Sequence, residues 1–260
     1  MAYETIRLER EGKIARLVLN RPDAMNAMNS TMMKELADAL EELKEDRSTQ
    51  VVILKGEGRA FSAGGDIKEM IDPESPMDLS IVMKDVSRLA IALYTLPQIT
   101  IASVHGAAAG LGFSMVLACD VIIAEKSAKL AMNFIGIGLV PDGGGHFFLK
   151  ERIGVPKAKQ MIWAGDVMQA EQAAGWGLID EVAQDGTAHK ESEGMAQKLL
   201  STPISAMIAS KGILHTSRLE ELRSVLELET DAQQAMKETA DHKEGIKAFV
   251  EKRKPAFTGK

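Results

Sequence analysis

Apolar residues along the chain alternate or cluster in short β-type runs, and stretches with helical spacing separate these runs. Tyr3–Leu8 and Ile14–Asn20 flank Glu11-Gly12 and predict a β-hairpin, ended by Arg21-Pro22-Asp23. Asn29 or Ser30 then caps a predicted helix whose apolar positions are Met33, Leu36, Ala37, Leu40 and Leu43. Val51–Lys55 predicts a buried strand, followed by a small-residue corner, Ala60-Phe61-Ser62-Ala63-Gly64-Gly65-Asp66, that leads into a helix. The polar, proline-punctuated run 72–78 (DPESPMD) predicts a mobile loop, and 79–93 predicts the next helix. Ile99–Val104 is a β-branched strand, and Gly106, Gly110 and Gly112 form a second corner. A short helix is expected over 113–119 and another strand over 121–124. Residues 128–137 read as extended and end in a third glycine corner, 138–145.

After Ile153 the pattern changes. Helices are expected over 155–164, 170–175 and 187–200, with one short strand near 179–182. From Pro203 to Lys254 the chain reads as amphipathic helix, with Leu219, Leu222, Leu226 and Met236 among its apolar positions. The division is therefore an α/β core over 1–200 and a helical C-terminal region over 201–260. Strands alternate with helices, and each strand-to-helix junction is rich in Gly or Ala. That is the pattern of an α/β domain with its site at the junctions.

Composition narrows the function classes. The 260 residues carry a net charge of -6, which argues against a nucleic-acid or anionic-membrane surface. A single cysteine, Cys119, in an apolar run suits a reducing compartment and has no cationic neighbour to activate it. No run has the length of a membrane span, and the N-terminal residues have no signal-peptide core. The expectation is a cytoplasmic protein. The fifteen methionines are read as core fillers.

The chemistry-bearing motifs are defined partly by elimination. GAAAGLG lacks dinucleotide-site spacing, and there is no phosphate loop, metal-type His/Cys pattern or serine nucleophile elbow. What remains is corners able to aim backbone N–H groups at a ligand. Asp142, before three glycines, is either a helix cap or a functional carboxylate. Asp66 is read as the cap of its following helix and Asp120 as a group ordering a helix–strand junction. His105 and His146 flank glycine corners and are assigned no role.

One ordered set of segments carries a resemblance. Asn20-Arg21-Pro22 with Asn26-Ala27, residues 60–70 (AFSAGGDIKEM), His105-Gly106 through Cys119-Asp120, residues 138–144 (GLVPDGG) and residues 244–253 (EGIKAFVEKR) resemble the crotonase superfamily of enoyl-CoA hydratases and isomerases. The resemblance implies a spiral of repeated ββα units with a helical C-terminal region that mediates trimerisation, as a homotrimer or a dimer of trimers. It implies an acyl-CoA thioester substrate, with coenzyme A as part of that substrate and no separate cofactor.

By position, the thioester oxygen falls to the N–H groups of Gly65 and Leu111, Leu111 standing where the family frequently has glycine. Ser62, Ala63, Asp66, Ile67 and Lys68 match the segment that contacts coenzyme A, and Phe249 and Lys252 match C-terminal residues that cover it. The two glutamates of the hydratases fall on Ser114 and Phe134, so the usual hydration machinery is missing. Asp142 matches the catalytic aspartate of several isomerases. Double-bond isomerisation is the expected reaction, with catalytic positions Gly65, Leu111, Asp142 and Ser114. The alternatives are hydration through non-standard acid/base residues, or an acyl-CoA-binding protein with little catalysis.

Overall fold

The structure is a computed structural model that describes residues 3–71 and 78–260. The strands are β1 (Ile6–Glu11), β2 (Ile14–Leu19), β3 (Val51–Gly56), β4 (Ile99–Val104), β5 (Ala107–Ala109), β6 (Val121–Glu125), β7 (Lys129–Ala131), β8 (Met168–Gln169) and β9 (Glu181–Ala183). The helices are α1 (Ser30–Glu45), α2 (Ile67–Met70), α3 (Leu79–Tyr94), α4 (Leu111–Leu117), α5 (Gly145–Ala164), α6 (Ala170–Trp176), α7 (Ala188–Leu200), α8 (Ile204–Thr216), α9 (Leu219–Lys237) and α10 (Ala240–Val250).

One six-stranded sheet runs β1-β2-β3-β4-β6-β9, antiparallel only at the β1–β2 hairpin and parallel across the other pairs. A smaller sheet, β5-β7-β8, lies beside it. The central strands are buried on both faces, which is why they read as continuous apolar runs rather than as an alternation. Val52 and Leu54 join Leu36 and Leu40 of α1 and Val86 and Leu89 of α3 in one core. The alternate residues Val51 and Ile53 join Ile101, Ile123 and Ala196 of α7 in another. Asn29 settles the start of α1, its side chain accepting from Met32 N at 3.0 Å.

Three expectations need correction. Residues 107–109, read as part of a glycine corner, form β5, because pairing with β7 and a bridge from Ser62 to Ala108 outweigh the weak strand preference of alanine. The next helix starts at Leu111, two residues earlier than expected; Gly112 sits inside it because a Cβ there would lie 2.7 Å from the Ser62 side chain. Residues 128–137 are not extended throughout: β7 is followed by a 3-10 turn over Asn133–Ile137. The expected loop over 72–78 falls outside the described residues except for Asp78, which caps α3 by accepting from Ser80 N.

The C-terminal helices are bound into this core. Leu222 and Leu226 of α9 belong to the larger apolar cluster. Helix α8 is held by Lys211, whose Nζ donates to Asp120 Oδ2 at 2.6 Å and to the Gln98 carbonyl at 2.8 Å. Asp120 also accepts from the backbone and hydroxyl of Thr100, which confirms its ordering role between α4 and β6. Lys211→Met removes the cation and leaves the half-buried Asp120 charge to the Thr100 bonds and to His215, 3.7 Å away. The change is expected to cost on the order of 3 kcal/mol, read as a lowered melting temperature. An unchanged melt would mean that the Thr100 bonds suffice for Asp120. Among the described residues no helix is long and apolar enough to cross a membrane. Cys119 is buried, and that burial pushes its thiol up to about 12, so it stays protonated.

Candidate active site

A cavity of about 650 Å³ opens where the three glycine corners meet, lined by Gly64, Gly65, Gly110, Leu111 and Asp142 among others. The first two corners touch. A Cβ on Gly64 would stand 2.9 Å from the Ala109 carbonyl oxygen, and one on Gly110 would stand 3.8 Å from Gly64 Cα. Their closeness follows from the pairing of the chain on either side. Ser62 N donates to Ala107 O and Ala109 N donates to Ser62 O, while Gly65 is bracketed by Met28 N donating to Gly64 O and Asp66 N donating to Met28 O. This pattern passes over the Gly65 N–H. The Leu111 N–H, on the first residue of α4, is likewise left over by the helix. Neither N–H meets an acceptor among the described residues. Two adjoining corners thus offer two unpaired backbone donors to one cavity.

The third corner packs against the second. A Cβ on Gly143 would lie 2.5 Å from the Leu111 side chain and 3.7 Å from Val86 of α3. Asp142 is therefore placed beside an apolar wall that also includes Met33, Val82, Met83 and Leu139. Its carboxylate does not cap α5: the cap is Gly144, and the helix start is satisfied from elsewhere. Glu229 of α9 accepts from Gly144 N at 2.8 Å and from the backbone and Nδ1 of His146 at 3.1 and 2.8 Å. Gln233, one turn on, donates through Nε2 to the Val140 carbonyl at 2.8 Å and to Asp142 Oδ2 at 3.0 Å.

Asp142 Oδ1 is enclosed and has no hydrogen-bond partner among the described residues, although the residue as a whole keeps some surface toward the cavity. Loss of solvent, and then the negative charge of Glu229, push the Asp142 carboxyl up to about 8, against the opposing pull of the Gln233 hydrogen bond.

The other residues singled out in the sequence divide into two groups. Ala63, Asp66, Ile67, Lys68 and Phe249 line the cavity with Gly65, Leu111 and Asp142. Asp66 is at the same time the cap of α2, accepting from Lys68 N at 3.1 Å, and the partner of Arg21 at 2.9 Å. Ser62, Ser114 and Lys252 do not line it. Ser62 is fully buried, its hydroxyl donating to Asn26 O at 2.8 Å and accepting from Gly64 N. The Ser114 hydroxyl donates to the Asp142 carbonyl at 2.7 Å, so it holds the third corner rather than facing a ligand. Lys252 lies exposed beyond α10. Phe134 does line the cavity, its ring 3.6 Å from where a Gly110 Cβ would be. His105 bonds the Gly58 carbonyl, and His146 joins the site only through Glu229.

Sequence reasoning passed over Glu229 and Gln233. Their signal was spacing: with Leu222 and Leu226 they complete a 4-3-4 stripe, all of it buried, so two polar groups sit where α9 should be apolar.

Comparison with known proteins agrees with the geometry. A family model described as enoyl-CoA hydratase/isomerase matches residues 9–260. YhaR of Bacillus subtilis, provisionally named an enoyl-CoA hydratase/isomerase, is 47% identical over 246 residues, which are 95% of this chain and 96% of the relative. The 1,2-epoxyphenylacetyl-CoA isomerase of Escherichia coli is 36% identical over 253 residues, covering 96% of this chain and 97% of the relative. A crystal structure of an enoyl-CoA hydratase from Mycobacterium avium subsp. paratuberculosis superposes with a TM-score of 0.90 at 32% identity, covering 99% and 100% of the two chains. With its mostly parallel sheet and, among the described residues, ten α-helices arranged as in that enzyme, the chain belongs to the enoyl-CoA hydratase/isomerase family and has the crotonase fold.

Proposed function

We propose that the protein moves a carbon–carbon double bond in an enoyl-CoA thioester. Asp142 takes a proton from the carbon next to the thioester and returns it two carbons further along. The electron pair released by the first step spreads onto the thioester oxygen, which the N–H groups of Gly65 and Leu111 hold as it becomes negative. Donors fixed in advance stabilise that charge more than they stabilise the neutral substrate.

The observation that carries this reading is the carboxylate of Asp142, a residue of the apolar cavity wall, whose enclosed Oδ1 has no hydrogen-bond partner among the described residues. One carboxylate suffices for a shift, because the group that takes up one proton as a base gives one back as the acid, and the proton held in between is open to exchange with solvent. Hydration would need a second group to manage water. The positions where the resemblance places the hydratase glutamates hold a committed hydroxyl, Ser114, and a ring, Phe134. The cations Arg21, Arg59 and Lys68 at the cavity wall fit the phosphates of coenzyme A, and the exposed ring of Phe249 fits its cover.

Purified protein supplied separately with a 3-enoyl-CoA and a 2-enoyl-CoA is expected to interconvert them. Conversion of the 2-enoyl-CoA to 3-hydroxyacyl-CoA alone would overturn the reading in favour of hydration, and binding without turnover would favour an acyl-CoA-binding protein.

A homotrimer or dimer of trimers is the proposed assembly, supported by the exposed Ile213, Leu214 and Leu228 on α8 and α9. Light scattering is expected to give three or six chain masses. The proposed location is the cytoplasm, supported by the single, buried cysteine and checked by cell fractionation.

A further inference from the structure

We infer that Glu229 and Gln233 of α9 are positioning residues for the proton carrier. Glu229 keeps a negative charge behind Asp142 and Gln233 grips one of its oxygens, so together they fix when the other oxygen takes up or releases a proton. This rests on the reading that Asp142 carries the proton.

The geometry is a clamp. From two side chains one helical turn apart, α9 reaches residues 140, 142, 144 and 146 in succession, so the corner bearing Asp142 is held on both sides. Glu229 is 2% exposed, accepts the backbone N–H groups of Gly144 and His146, and lies 2.8 Å from His146 Nδ1. Both hydrogens of the Gln233 amide are engaged, one on the Val140 carbonyl and one on Asp142 Oδ2, which fixes the amide orientation and leaves its own oxygen unpartnered among the described residues.

The two groups act on the Asp142 charge in opposite directions. The carboxylate of Glu229 disfavours a second negative charge nearby, whereas the Gln233 N–H favours it. The surroundings of Asp142 hold few competing charges. Helices α3 and α4 and the 3-10 turn bring Val86, Leu111, Ser114 and Phe134 to this corner, all uncharged. From α5, His146 faces Glu229. Lys237 and His242 line the cavity further along α9 and α10, and Arg21 pairs with Asp66 on the wall of the first corner.

The test follows exchange of the α-proton of a 3-enoyl-CoA with deuterated solvent across pH, a readout that needs the base but not the completed shift. The wild type, Asp142→Asn, Glu229→Gln, Glu229→Asp and Gln233→Met are compared. Glu229→Gln is expected to move the midpoint of the exchange profile to lower pH by roughly one unit, Gln233→Met to higher pH by a similar amount, and Glu229→Asp to restore the wild-type value.

A merely structural role would lower melting temperature and rate and leave both midpoints in place; that result would overturn the inference. If Glu229→Gln fails to fold, the direction of the Gln233→Met shift decides. Exchange that survives Asp142→Asn would instead remove the underlying reading. The two failures are therefore distinct.

Discussion

Asp142→Asn is expected to keep affinity for acyl-CoA and to lower turnover by roughly 10²–10⁴. The substitution changes little else. Asparagine has the volume of aspartate, it can still accept from Gln233 Nε2, and the Ser114 bond goes to the backbone carbonyl, which is unaltered. What disappears is a group at the apolar wall that can exchange a proton. The pH dependence gives a second reading of the same residue. The base is the ionised form and the carboxyl sits at about 8, so wild-type kcat/KM should climb as pH rises through about 8, while the residual rate of the Asn variant stays flat.

Stability should move the other way. A carboxyl raised in the fold from its ordinary 3.8 contributes stability that is complete at low pH and is lost as pH rises toward and through about 8. Above that value the Asn variant, with no charge to bury, should melt higher than the wild type. Turnover within tenfold of wild type, or an unchanged pH profile, would take Asp142 out of the mechanism.

The parts of this site that were legible in the sequence are those built from backbone. Gly64-Gly65 and Gly110-Leu111 could be picked out by composition, since corners poor in side chains expose N–H groups wherever the chain turns. The strands β3, β4 and β6 were equally legible, because burial on both faces keeps their polar residues few and leaves the apolar runs clear. What could not be read was partnership over long separations. Asp142 lies 91 residues from Gln233, and only the packing of α9 against α5 and α3 decides whether its carboxylate caps a helix or faces a cavity. Ser114 shows the same limit in reverse: one turn beyond Leu111 it could have faced the cavity, and its hydroxyl instead donates to the Asp142 carbonyl. Strand β5 was lost for a different reason, since three alanines carry no strand preference and only their partners make them one.

Gly64→Ala is expected to cut turnover by roughly 10²–10³, the effect of losing one donor to a developing oxyanion, while the coenzyme A contacts persist. Gly64 has φ +95, a backbone conformation that alanine adopts only with strain of about 1–3 kcal/mol. The new methyl group would also stand 2.9 Å from the Ala109 carbonyl oxygen, a backbone atom fixed by the bond from Ala109 N to Ser62 O. Relief requires the first corner to move away from the second, and the residue carried with it is Gly65. The Leu111 N–H, on the other side of the contact, would stay with α4. The separation of the two donors therefore changes, whereas Lys68 and Phe249 keep their places on the cavity wall.

Strain and site geometry can be separated by a second substitution. Gly12 also has positive φ, +57, but nothing lies within 4 Å of a Cβ there, and it sits in the β1–β2 turn. Gly12→Ala should lose about 1–2 kcal/mol of stability and no turnover. A Gly64→Ala protein that melts lower yet turns over within tenfold of wild type would show that the spacing of the two corners does not matter to the reaction. Loss of turnover at an intact KM would place the effect where the charge develops, between the Gly65 and Leu111 N–H groups.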